Sequence, residues 1–149
     1  MSDQNGSTVK RGARRAFAVG SWLLFLAILG QFLLAGLGIF ASGGFLSYHA
    51  SIGAAVVAAL ALLLVVAGWI GRAPGGTVGL AASVIGLVVL QSLLLFPYHL
   101  DLQGAARAVS GLHVLNALLI FWVGTRLLVR GRQLRPPSRT VGEAAGGAA

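Results

Sequence analysis

Four stretches of the chain, Ala16–Phe40, Leu46–Ile70, Thr77–Tyr98 and Ala108–Val129, contain no Asp, Glu or Lys, and their sole Arg is Arg126 near the end of the fourth. A helix needs roughly 20 residues to cross a hydrocarbon core, and each run is long enough. In lipid every backbone N–H and C=O must be satisfied internally, so such runs are read as helices rather than open strands. The connections Ala41–Phe45, Gly71–Gly76 and His99–Arg107 are short. Short links make consecutive helices antiparallel neighbours, which predicts an all-α, integral membrane, up-down four-helix bundle. Composition agrees. Only 9% of residues are charged and 57% are hydrophobic, whereas a soluble domain carries about 25% charged residues. The charged shell of a soluble fold cannot be built from this chain.

The basic residues set an orientation. Of the 11 Lys and Arg residues, all except Arg107 fall on one side of a four-span layout. Lys10, Arg11, Arg14 and Arg15 precede the first span, and Arg72 lies between the second and third. Arg126, Arg130, Arg132, Arg135 and Arg139 end or follow the fourth. Such asymmetry predicts a multi-pass protein of the plasma membrane with both termini cytoplasmic. The net charge of +8 is therefore read as topology-setting. It lies at the ends of apolar runs, not on an amphipathic face or an aromatic-studded groove, so no nucleic-acid partner is expected; the expected surroundings are the lipid bilayer. With no cysteine, disulfides, thiolate metal sites and a thiol nucleophile are excluded.

The first apolar run exceeds the 7–15 residues usual for a signal peptide, so it is read as a retained span. Residues 1–15 read as a basic cytoplasmic tail, 16–129 as the membrane domain and 130–149 as a disordered cytoplasmic tail. Met1–Val9 and Gly131–Ala149 are rich in Gly, Ser, Pro and Ala and are expected to lack stable structure. Pro136-Pro137 reads as a tail breaker.

A repeat lies inside the bundle. Gln31-Phe32-Leu33-Leu34 is followed, after a loop, by His49 early in the second span. Gln91-Ser92-Leu93-Leu94 is followed by His113 early in the fourth. The Gln-to-His separations are 18 and 22 residues, and the longer second loop absorbs the difference. Gly53 stands four residues after His49, and Ala117 four after His113. The pattern reads as a duplicated two-helix hairpin, with convergent use of Gln and His as the alternative.

Polar side chains inside apolar spans are costly and mark functional sites. Here they are Gln31, His49, Gln91, His113 and Asn116. No carboxylate lies within a span, which argues against proton- or cation-coupled transport through a membrane carboxylate and against a paired-carboxylate acid/base scheme. Both histidines enter from the side opposite the basic residues, about 4–8 Å inside the span end at 1.5 Å per residue. They sit on helices two and four, which are diagonal in an up-down bundle, so they can face each other across the core. Bundles hold haem iron between two imidazoles in this way. His49 and His113 are thus candidate axial ligands for haem b, with Gln31 and Gln91 beside them. Ala35, Gly36 and Gly38 are candidates for clearance around a flat macrocycle, and Arg107 for pairing with propionates. Each has a plainer reading: small residues pack helices closely, and amides bond between helices. His99, beside Tyr98 and near Asp101, reads as interfacial. No phosphate-binding glycine loop, HExxH or GxSxG occurs.

At these residues the chain resembles a family of small uncharacterised four-span membrane proteins, known as a domain of unknown function. QFLLAGLGIF with His49, and QSLLL with LHVLNALLIF, carry the resemblance over roughly Arg14–Arg132. It implies the four-span fold and no established activity. A looser similarity runs to one four-helix half of haem A synthase, which also places histidines on its second and fourth helices. By that likeness His49 and His113 correspond to haem-ligating positions. The chain departs from it in having one bundle, not two, and Leu46 where the catalytic half carries a Glu.

The leading expectation is a non-catalytic b-type haem or electron-transfer module, partnered by a redox protein. The alternative is a cofactor-free structural or accessory subunit of a membrane complex. An enzyme acting on a lipid or isoprenoid at the outer face is a third reading, weakened by the lack of an acid/base or metal set.

Overall fold

A computed structural model describes residues 2–134. The chain is all helical there: α1 (Ser2–Phe40), α2 (Gly44–Ile70), α3 (Gly75–Leu93), α4 (Phe96–His99), α5 (Ala105–Ala108) and α6 (Leu112–Gln133), with a 3₁₀ turn at Val109–Gly111. Four helical segments are long and apolar enough to cross a membrane: Gly6–Phe40, Gly44–Ile70, Gly75–His99 and Ala105–Gln133. α1 packs on α2 and α6, and α3 packs on the same two helices; the diagonal pairs share no comparable interface. This is the up-down bundle, with α2 and α6 across the diagonal.

The buried residues explain the packing. They run Phe17, Ser21, Leu24, Ile28 on α1; Val57, Ala61, Leu64 on α2; Ala81, Val84, Val88 on α3; and Asn116, Ile120, Val123, Leu127 on α6. Each series advances in alternating steps of four and three. That seven-residue period keeps one seam of each helix facing its neighbours. Where α1 meets α6 the seam narrows. A Cβ on Gly131 would lie 2.7 Å from Ser21 Oγ and 3.4 Å from the Ala18 Cα, and one on Gly124 would lie 2.7 Å from Ile28 Cδ1. Phe121 of α6 stacks against Phe25 and Phe32 of α1, at centroid distances of 5.8 and 6.0 Å.

The bounds sharpen the sequence reading. α1 ends at Phe40 as expected, but its start at Ser2 means that Ser2–Val9 are helical rather than structureless. Once a long apolar helix exists, each added turn avoids the cost of nucleation. The fourth span is not one continuous α-helix: α5 and the 3₁₀ turn precede α6, and His113 lies in α6's first turn. Gly111 and its neighbours leave the chain free to tighten there. α2 closes on Gly71 with Ala73 N donating to Gly68 O (2.8 Å) and Arg72 N to Trp69 O (3.1 Å). This is a Schellman cap with Arg72 at φ 52° in the position that favours glycine. Of the expected C-terminal tail, Gly131–Gln133 form the end of α6, and the residues beyond Leu134, Pro136-Pro137 included, lie outside the described residues.

The seam yields a direct test. Gly131→Leu is expected to destabilise the bundle by about 1–3 kcal/mol through overpacking. Gly79→Leu, where a Cβ meets nothing within 4 Å, is expected to be nearly neutral. Denaturation in mixed micelles followed by circular dichroism distinguishes them; equal losses would rule out the close α1–α6 seam.

Candidate functional site

The seven-residue seam does not stop where the apolar core stops. Three residues past Ile28 it reaches Gln31, and three past Val88 it reaches Gln91. On α2, four and eight residues before Val57, it reaches Gly53 and His49. On α6, three before Asn116, it reaches His113. The polar residues occupy core positions because helical period puts them there. Together they form one layer on the side of the core away from the basic residues.

The two histidines meet in that layer. Their ring centroids lie 6.2 Å apart with an interplanar angle of 71°, so the diagonal helices bring the two side chains into edge-on contact. Each ring is held by the glutamine of its own hairpin, and through the same group. His49 Nδ1 lies 3.1 Å from the Gln31 carbonyl oxygen, and His113 Nδ1 lies 3.4 Å from the Gln91 carbonyl oxygen. A carbonyl can only accept, so Nδ1 carries the proton in both rings and Nε2 presents a lone pair. The repeat of sequence is thus also a repeat of hydrogen bonding.

The halves then diverge. Asn116 Nδ2 donates to Leu87 O (2.8 Å) and to Gln91 Oε1. That fixes the Gln91 amide, whose Nε2 donates to His113 Nε2 at 3.1 Å. His113 is therefore engaged at both nitrogens. His49 has no such second partner: among the described residues its Nε2 and the Gln31 side-chain amide make no hydrogen bond. The Gln31 amide lies over Gly53, where any Cβ would overlap it. Asn116 is 6% exposed, and its Oδ1 is buried without a hydrogen-bond partner among the described residues.

Other residues singled out by the sequence go elsewhere. Arg107 pairs with Asp101 (3.2 Å) and lies over the Tyr98 ring at 5.1 Å. It belongs to the loop beside the layer rather than to the layer itself. His99 contacts Tyr98 edge-on at 5.7 Å. Gly38 is a packing glycine, since a Cβ there would lie 2.5 Å from Leu46 Cγ; clearance for a macrocycle is not its role. Gly36 has open space around its missing side chain. No group of three or more His, Cys, Asp or Glu occurs among the described residues, so a metal here would rest on the two imidazoles and on ligands the chain does not supply. Sequence reasoning named Asn116 as polar but missed its hold on Gln91; its place on the seven-residue seam was the available signal.

Residues 31–97 match a family of unknown function, DUF6220. The matched stretch opens at Gln31 and contains His49, Gly53 and Gln91; it stops before His113 and Asn116. No curated protein and no solved structure matches the chain, so the likeness to haem A synthase rests on histidine placement alone.

Gly53 offers a test of the layer. Gly53→Ala is expected to cost about 1–3 kcal/mol, since the Gln31 amide must leave its seat. In a Gln31→Ala background most of that penalty should vanish, giving a coupling above about 1 kcal/mol in a double-mutant cycle. Additive effects would place the Gln31 side chain elsewhere.

Proposed function

We propose that the chain is a b-type haem-binding or electron-transfer module of the membrane, with His49 and His113 as axial ligands through Nε2. One observation carries the reading: two imidazoles on diagonal helices, each with Nδ1 directed to the backbone carbonyl of its hairpin's glutamine, meet edge-on with centroids 6.2 Å apart. Metal-ligating histidines donate their other N–H to a carbonyl or carboxylate, which fixes tautomer and orientation. The carbonyls of Gln31 and Gln91 supply that support. His113 must first exchange the Gln91 amide for the metal, whereas His49 Nε2 is available as it stands. Haem bound there supplies one-electron redox chemistry. The protein orients the imidazoles, and the apolar core beneath the layer keeps water from the basic end. Arg107 remains a partner for propionates only in competition with Asp101.

A second reading, a cofactor-free structural or accessory subunit, is favoured by the His113–Gln91–Asn116–Leu87 network, which engages both His113 nitrogens and the Gln91 side-chain amide without a ligand. The reduced-minus-oxidised spectrum of protein produced with haem supplied decides between them. Soret and α bands are expected in the wild type. His49→Ala should abolish most of the signal, and His113→Ala should remove its low-spin character. A colourless wild type would overturn the haem reading and leave the structural one.

The orientation belongs to the same proposal, because it places the histidine layer toward the outer side of a plasma membrane. Reporter fusions at Gly43 and Gly75 are expected to report outside and inside. The reverse order would place the layer on the cytoplasmic side.

A further inference from the structure

We propose that the turn between α2 and α3 binds the phosphate headgroup of an anionic phospholipid, independently of any cofactor in the histidine layer. Three guanidinium groups from three elements gather at this turn. Arg14 of α1 donates from Nε to Gly71 O at 2.9 Å. Arg72 is part of the turn and lines its cleft together with Trp69, Ile70, Ala73, Gly75 and Val78. Arg130 of α6 donates from Nη1 to Thr77 Oγ1 at 3.1 Å. Among the described residues no carboxylate pairs with any of them; the ion pair Arg107–Asp101 is at the opposite end.

Such a cluster is unfavourable alone. The C-terminal end of α2 offsets only about half an elementary charge, against three positive groups. Of the five N–H donors on each guanidinium, Arg14 and Arg130 spend one on the protein and Arg72 spends none. What remains suits the forked, charge-assisted hydrogen bonding of a phosphate. The cleft supplies the second half of an amphiphile's requirements: Trp69, 79% exposed, and Ile70, 41% exposed, form an apolar wall with Val78 beside Arg72. The apolar runs end at this level, where a bilayer presents its headgroups. Basic pockets between membrane helices recognise anionic lipids through this combination. A free phosphate would use the arginines and leave the apolar wall uncovered, so the lipid is the better fit.

The test uses the full chain, delipidated in mild detergent, with phosphatidylglycerol or phosphatidylcholine added and bound lipid counted by native mass spectrometry. Phosphatidylglycerol is expected to be retained preferentially. At about 1 kcal/mol per basic residue near an anionic surface, each lost arginine should weaken it about fivefold. Arg72→Gly is the informative variant. Glycine suits the φ of 52° at that position, so the melting temperature should not fall while the preference for phosphatidylglycerol does. Arg130→Gln should weaken it further, and Arg107→Gln should leave it unchanged. Equal retention of the two lipids, or an unchanged preference in the Arg72→Gly, Arg130→Gln double variant, would overturn the proposal. Displacement of phosphatidylglycerol by millimolar inorganic phosphate would assign the site to free phosphate instead.

Discussion

A side chain on the seven-residue seam of a packed helix faces the bundle interior whether it is apolar or polar, and most of this structure depends on that constraint. From Phe17 to Ile28, and along the matching stretches of α2, α3 and α6, the seam carries apolar and small residues and builds a core. Where it runs on into Gln31, His49, Gln91, Asn116 and His113, the same geometry points amides and imidazoles at one another. In hydrocarbon an unsatisfied polar group is expensive, and most of these groups find partners within the layer. The backbone carbonyls of Gln31 and Gln91 serve because an imidazole N–H reaches them from the adjacent helix.

The pseudo-symmetry of that layer makes its one asymmetry informative. Both hairpins hold their histidine at Nδ1 through a glutamine carbonyl. Only the second adds an asparagine on the seam, and Asn116 sets the Gln91 amide against His113 Nε2. In the first hairpin the position three residues after the histidine is Ile52, and the Gln31 amide lies over Gly53, which gives room and no hydrogen bond. One histidine is thereby held as part of the helix contact, and the other keeps a ring nitrogen open. An arrangement serving packing alone has no need to leave His49 Nε2 and Asn116 Oδ1 without partners.

Much of this was legible in the sequence because hydrocarbon thickness and helical period act locally. The end of α1 at Phe40, the break at Gly71–Arg72 and the facing of helices two and four all follow from run length, loop length and Gly/Pro placement. What was not legible depends on rotamers and on contacts between distant segments. Gly38 reads equally well as clearance or as contact until Leu46 is seen against it. Arg107 reads as a free cation until the turn at Asp101 brings that carboxylate to 3.2 Å. The helicity of Ser2–Val9 was missed because composition describes isolated segments, and this one continues a long apolar helix. Seam spacing places Asn116 in the interior, but which group on α3 it reaches depends on rotamers and on helix register, so its hold on Gln91 was hidden.

The two ends of the bundle divide packing from chemistry. The fully buried residues lie in the middle of the bundle and toward the basic end: Phe17, Leu24, Leu64 and Leu127 have no exposure, and Gly131 brings α6 against Ala18 and Ser21. At the other end α4, α5 and the 3₁₀ turn contain no buried residue, and the two histidines are only partly buried. Local stability follows local burial. The polar layer therefore sits at the boundary between a well-buried half that fixes the helix positions and a half with little burial. A histidine pair placed deeper among Leu24, Leu64 and Val84 would be more fully buried and would need its partners from residues that are apolar there.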